Sequence, residues 1–175
     1  MRNYSIKHCA FTVVSLLLAI FLMTGVVAAA GGDIITKGQL EGSVTAIPVA
    51  GSDSLYRVES VATGTLSHVG RVTLTWAVPE VELDLLNGQL IVPDPLWRGT
   101  LTTPKGDQIF WDYEFPDPVF SFTSLGDLTF ETLAEATGGT GRFENVTGHA
   151  MAVGKANIFT GEFTVNFLGI GSMTR

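Results

Sequence analysis

The feature that most constrains this chain is a period of two. In the run from Arg71 to Val78, residues Val72, Leu74, Trp76 and Val78 share one face, and Arg71, Thr73, Thr75 and Ala77 share the other. Only an extended backbone, which turns successive side chains to opposite sides, makes one face of such a pattern. The run from Ile109 to Phe115 alternates too, with Trp111, Tyr113 and Phe115 against Asp112 and Glu114. Near the C-terminus Phe159, Gly161, Phe163, Val165 and Phe167 oppose Thr160, Glu162, Thr164 and Asn166. Thr, Val, Phe and Leu dominate these runs, as strands require.

Turn chemistry divides the pattern. Asn87-Gly88 predicts a two-residue hairpin turn, Lys105-Gly106-Asp107 and Thr160-Gly161 predict weaker ones, and Pro93, Pro95, Pro116 and Pro118 mark loops or strand ends. The expected strands are 38–47, 54–63, 66–78, 81–92, 97–103, 107–115, 119–135, 146–155 and 158–170, with a turn around 132–136 as the one helical candidate. Nothing reads as a linker, so a single all-β domain is expected, either a sandwich or a closed barrel. The barrel is preferred because closure removes exposed sheet edges without a disulfide.

Residues 1–30 read as a leader apart from that domain. Arg2 and Lys7 give a basic start, residues 10–23 are apolar except Thr12 and Ser15, Gly25 can break a helix, and Ala28-Ala29-Ala30 supplies small residues before a cut. This is the layout of a signal peptide cleaved after Ala30, which makes residues 31–175 the folded domain and the destination secreted or periplasmic. The alternative is an uncleaved anchor, since apolar residues continue to Ala30. Cys9, the single cysteine, leaves with the leader. Losing Arg2 and Lys7 leaves eight basic residues against seventeen acidic ones, a net charge of −9. Such a surface repels nucleic acid and anionic lipid, so neither is an expected partner.

The stretch Ala136 to Ala150, ATGGTGRFENVTGHA, concentrates the glycines. A phosphate loop would need a helix directly behind it, and β-type residues follow instead. Asn145-Val146-Thr147 matches the glycan-acceptor rule. The favoured reading is structural: Gly138, Gly139 and Gly141 supply positive φ angles or close backbone approach, and Phe143 plugs a barrel end. These residues, with Gly148, form a GGTG-x-F-x-x-x-x-G segment that resembles that of dirigent proteins and the related allene oxide cyclase barrels. The likeness extends to the later TGEFTVNF and to HVGRVTL from His68 to Leu74, and is stronger still to small secreted bacterial members of that superfamily, which have no assigned activity. The resemblance implies a calycin-like, antiparallel, eight-stranded closed barrel with a central cavity, often a dimer or trimer. It carries over no catalytic residue.

Chemistry-bearing residues are sparse. Glu80, Glu82 and Asp84 share a strand face opposite Val81, Leu83 and Leu85; they suit calcium, or a solvated outer face, and the second is favoured. Asp112, Glu114 and Asp117 read the same way. His68 and His149 have no zinc-site spacing, and no GxSxG nucleophile elbow occurs. No metal or cofactor is therefore expected. Trp76, Trp97, Trp111 and Tyr113 are candidates to line an apolar cavity, with a filled core as the alternative. An outer-membrane barrel needs a continuous apolar band, which short, Thr-studded strands do not supply. The leading expectation is a secreted, non-catalytic barrel that binds a small apolar molecule or forms homo-oligomers. The alternative is a dirigent- or cyclase-like barrel acting on a small hydrophobic substrate, for which Arg98 and Glu131 are the catalytic candidates. Mass spectrometry of the exported protein should find an N-terminus at Gly31; a retained leader would contradict the cleavage reading.

Overall fold

The computed structural model describes residues 33–84, 86–91, 97–114 and 121–173. The leader expected at residues 1–30 and the loops expected at Pro93, Pro95, Pro116 and Pro118 lie outside the described residues. The strands are β1 (Asp33–Pro48), β2 (Leu55–Leu66), β3 (Gly70–Asp84), β4 (Gln89–Ile91), β5 (Trp97–Thr102), β6 (Gln108–Glu114), β7 (Ser121–Phe122), β8 (Asp127–Gly139), β9 (Val146–Asn157) and β10 (Glu162–Met173). Eight of them close into an antiparallel barrel in the order β1-β2-β3-β5-β6-β8-β9-β10, with β10 pairing back onto β1. The short β4 and β7 prolong one rim, beside β3 and β8 respectively. Each barrel strand thus lies between the barrel strands that precede and follow it, and among the described residues no barrel strand is left as an open edge.

The alternation read in the sequence becomes inside and outside. Val72, Leu74, Trp76 and Val78 are buried along β3, and Phe163, Val165 and Phe167 along β10. Phe159 departs from its expected face. It lies in the β9–β10 turn with its ring against Gly126, where a Cβ would come within 2.6 Å of it. Asn157 holds that turn, its Oδ1 accepting from the N–H groups of Phe159 and Thr160 while its Nδ2 donates to Asp127 and to the Leu125 carbonyl.

Three boundaries differ from expectation. The separate strands at 66–78 and 81–92 are largely one strand, β3, that runs through Pro79. The β2 register steps from Val58–Val78 to Tyr56–Val81, so Pro79 sits in a bulge where its missing N–H breaks no ladder bond. The expected 119–135 strand is split by the turn at Gly126 into β7 and β8, and the helical candidate at 132–136 is β8 itself. The connection around Asn87-Gly88 is a four-residue one between Asp84 and Gln89, because Asp84 organises it. Its carboxylate accepts from the Asn87 side-chain amide at 2.6 Å and from the N–H groups of Asn87 and Leu86. The Asn87 bonds, side chain foremost, hold that carboxyl below its ordinary value of 3.8.

The interior is filled by matching large residues to small ones. Trp76, Phe130 and Phe163 form one ring cluster, with centroids 5.4 to 6.0 Å apart and the two phenylalanines nearly parallel. Around it β8 and β9 present Ala134, Ala136, Ala150, Ala152 and Ala156, all buried. Gly154 completes the fit, since a Cβ there would lie 2.2 Å from Phe130 Cζ. Gly154→Ala should therefore destabilise the barrel by about 1–3 kcal/mol in urea unfolding. Combining it with Phe130→Leu should cost less than the sum of the single changes, because the smaller side chain vacates the contested space; strict additivity would contradict the fit.

Candidate functional site at one barrel mouth

One end of the barrel carries the start of β1, the β2–β3 and β5–β6 turns, the β8–β9 connection and the end of β10. Phe143 seals part of it. It lies in a single 3₁₀ turn, Gly141–Phe143, is 1% exposed, and packs so closely on β8 that a Cβ at Gly139 would come within 2.5 Å of its carbonyl oxygen. Neighbouring glycines make that turn sterically accessible. Gly141 has a φ of +58°, and a Cβ on it would lie 2.1 Å from Asp107 Oδ1; Gly138 and Gly148 have φ values of +145° and +152°.

Arg142 ties the loops of this end together. Its guanidinium donates to the Val69 carbonyl in the β2–β3 turn, lies 3.6 Å from Asp107 in the β5–β6 turn, and stacks 4.5 Å from the centre of the Phe143 ring. One side chain therefore joins three connections that are distant in sequence. Arg142→Ala should cost about 1–2 kcal/mol and speed amide exchange in all three loops. Gly141→Val should cost at least as much, through the left-handed φ and the Asp107 overlap. A loss confined to one loop would contradict the shared tie.

Beside this seal the mouth stays open. An almost wholly apolar pocket is bounded by Leu101, Ile109 and Trp111 on one side and by Phe167 and the Gly148–Ala150 and Gly169–Gly171 stretches on the other. Its inner room is about 50 Å³, and with the open mouth the space reaches about 520 Å³. The hollow follows from missing side chains. Gly148 and Gly171 face each other across the β9–β10 ladder, and a Cβ on either would overlap the opposing backbone at 2.5 Å or less. Gly169, by contrast, has room: the nearest atom to its Cβ position is Ala150 Cβ at 3.4 Å.

Of the aromatic candidates, Trp111 lines the pocket, whereas Trp76 belongs to the packed ring cluster. The side chains of Trp97 and Tyr113 lie outside the described part of the structure, though their backbones pair across β5 and β6. Trp111 Nε1 is buried with no hydrogen-bond partner among the described residues, as are Ser60 Oγ and Thr103 Oγ1. Such donors cost free energy when folded in dry and are expected to find a partner. Arg98 and Glu131 are not in the interior. The Arg98 side chain is 83% exposed and 3.5 Å from Asp112 on the outer face; Glu131 alternates outward on β8, between the buried Phe130 and Thr132. His68 is exposed in the β2–β3 turn with a φ of +62°, and His149 is exposed on β9. Glu80 is exposed and Glu82 and Asp84 half-buried, opposite the buried Val81 and Leu83. Among the described residues no group of three or more His, Cys, Asp or Glu side chains could hold a metal ion.

Among the lining residues that sequence reasoning did not single out for the site are Leu101, Ile109, Phe167, Gly169 and Gly171. The last three stand at alternate positions of Phe167-Leu-Gly-Ile-Gly171, a strand whose inward side chains vanish toward its end. Comparison with family models, curated proteins and solved structures finds no match for this chain.

Proposed function

We propose that this chain is an exported, non-catalytic barrel that takes the apolar end of a small molecule into the mouth between β10 and the β5–β6 wall. The observation that carries this reading is the pocket itself, an apolar wall of Leu101, Ile109 and Trp111 facing Phe167 and the small residues Gly148, Ala150, Gly169 and Gly171. Sites that enclose a whole drug-sized ligand are usually about 300–1,000 Å³. Inner room of about 50 Å³ suits a short alkyl or aryl group, with the rest of the molecule in the wider mouth. The non-catalytic part rests on the polarity of the interior: among the described residues the buried polar side chains are Ser60, Thr103 and Thr132, none of them ionisable at neutral pH. A dirigent- or cyclase-like reaction would call for an ionisable group against the substrate, and Arg98 and Glu131 are on the outer face. The likeness of the Gly138–Gly148 segment to secreted barrels of that superfamily supports export.

Gly169→Leu provides the test. The Gly169 Cβ position is free of close contact, so a leucine there should fill the pocket while the barrel still folds. Uncharged N-phenylnaphthylamine should bind the unaltered protein saturably and change its tryptophan fluorescence. Gly169→Leu should abolish that response at an unchanged circular dichroism spectrum. Equal binding by both proteins, or no saturable binding by either, would overturn the reading.

A further inference from the structure

The three most exposed large apolar side chains stand together at the end of the barrel opposite the mouth. Leu86 is 94% exposed, Leu125 73% and Phe159 60%, and no other large apolar side chain among the described residues exceeds 54%. Each is in a turn: Leu86 between β3 and β4, Leu125 between β7 and β8, Phe159 between β9 and β10. The three turns abut. The Phe159 ring lies against Gly126, next to Leu125. The Cβ position of Gly88, two residues from Leu86, is 3.2 Å from the Phe122 carbonyl and 3.5 Å from the Ser124 nitrogen. Apolar tips gathered at one end of a strongly acidic protein mark an interaction site.

The three turns share one device. In each, the polar residue two places before the apolar tip accepts the tip's N–H: Asp84 from Leu86 at 3.1 Å, Thr123 from Leu125 at 3.3 Å, and Asn157 from Phe159 at 2.9 Å. The same side chains accept a second N–H, from Asn87, Asp127 and Thr160. A protein partner can offer hydrogen-bonding groups to a tip, and hydrocarbon cannot. A tip whose own donor is already satisfied can therefore enter an apolar phase without stranding it. Charge narrows the choice of surface. The turns of this end, with the strand positions that bound them, carry Asp53, Asp84, Asp127 and Glu162 and no lysine or arginine. Anionic lipid is repelled by such a rim, and neutral lipid is not.

We propose that this end of the barrel seats on an electrically neutral phospholipid membrane, with Leu86, Leu125 and Phe159 entering the boundary between headgroups and acyl chains. Removal of the three side chains from water drives the seating. The strands stay outside the bilayer, and the apolar mouth, at the other end, faces away from it.

Flotation with phosphatidylcholine vesicles, using protein recovered from cells expressing the full sequence, tests this. The expected association constant is about 10⁴ M⁻¹, the strength that one acyl chain gives. Leu86→Ser and Leu125→Ser together should lower it by about a hundredfold, roughly tenfold for each leucine. Both side chains lie outside the core, so the circular dichroism spectrum should not change. Leu133→Ser, on the outer wall of the barrel, should leave binding as it was. Replacing part of the phosphatidylcholine with phosphatidylglycerol should weaken it. The indole of Leu125→Trp should shift to shorter wavelength on the vesicles and be quenched by brominated acyl chains. No flotation, flotation that survives the double change or falls equally with Leu133→Ser, stronger binding to phosphatidylglycerol, an unquenched indole, or a lipid-free oligomer that the double change dissolves would each overturn the proposal.

Discussion

A closed sheet of eight strands encloses a space only wide enough for the side chains that point into it. Every inward position is therefore a decision about volume, and the rest of the molecule follows from how those decisions match. Through the middle of this barrel they match closely. Trp76, Phe130 and Phe163 supply the rings, while the inward positions of β9 are Ala150, Ala152, Gly154 and Ala156. The absence of a Cβ at Gly154 is what admits Phe130. At the open mouth the same smallness recurs at Gly148, Gly169 and Gly171 with no ring to fill it, and a hollow results. The packed core and the candidate site thus come from one rule with two outcomes.

The ends obey a different constraint. Eight strands leave the chain many turns, and each turn must satisfy its own backbone while covering apolar side chains beneath. At the sealed part of the mouth, positive φ at Gly138 and Gly141 bends the chain so that Phe143 drops into the interior and Arg142 lies over it. The arginine then satisfies the Val69 carbonyl and approaches Asp107. At the opposite rim short polar side chains serve in its place: Asp84 and Asn157 accept the N–H groups that their turns would otherwise leave unpaired.

Much of the architecture was legible because the barrel imposes a period of two along each strand, and period two is visible in a sequence. Val72, Leu74, Trp76 and Val78 were read onto one face, and Phe163, Val165 and Phe167 onto another, and both sets are buried inside the barrel. Boundaries were less legible where two strands share one apolar run. The run was divided into strands at 66–78 and 81–92, but a bulge carries one strand through Pro79, and bulges are defined by the partner strand. Phe159 read as sharing the face of Phe163 by its place in the alternation, yet a turn holds it against Gly126. The candidate site was half legible. Trp111 stood out as an aromatic on an apolar face, while Leu101 and Phe167 looked like any other core residue.

By itself the sequence determined that the chain builds a β-structure without disulfides, which residues face inward on most strands, and where the backbone must turn through glycine. These are local properties, set by the alternation of side chains and by the conformations each residue allows. The tertiary structure alone decided which inward residues meet across the barrel, and hence that Trp76 is packed while Trp111 borders a hollow. It also decided that Arg98 and Glu131 lie outside. Those facts depend on register between strands far apart in the chain, and register is fixed only when the sheet closes on itself.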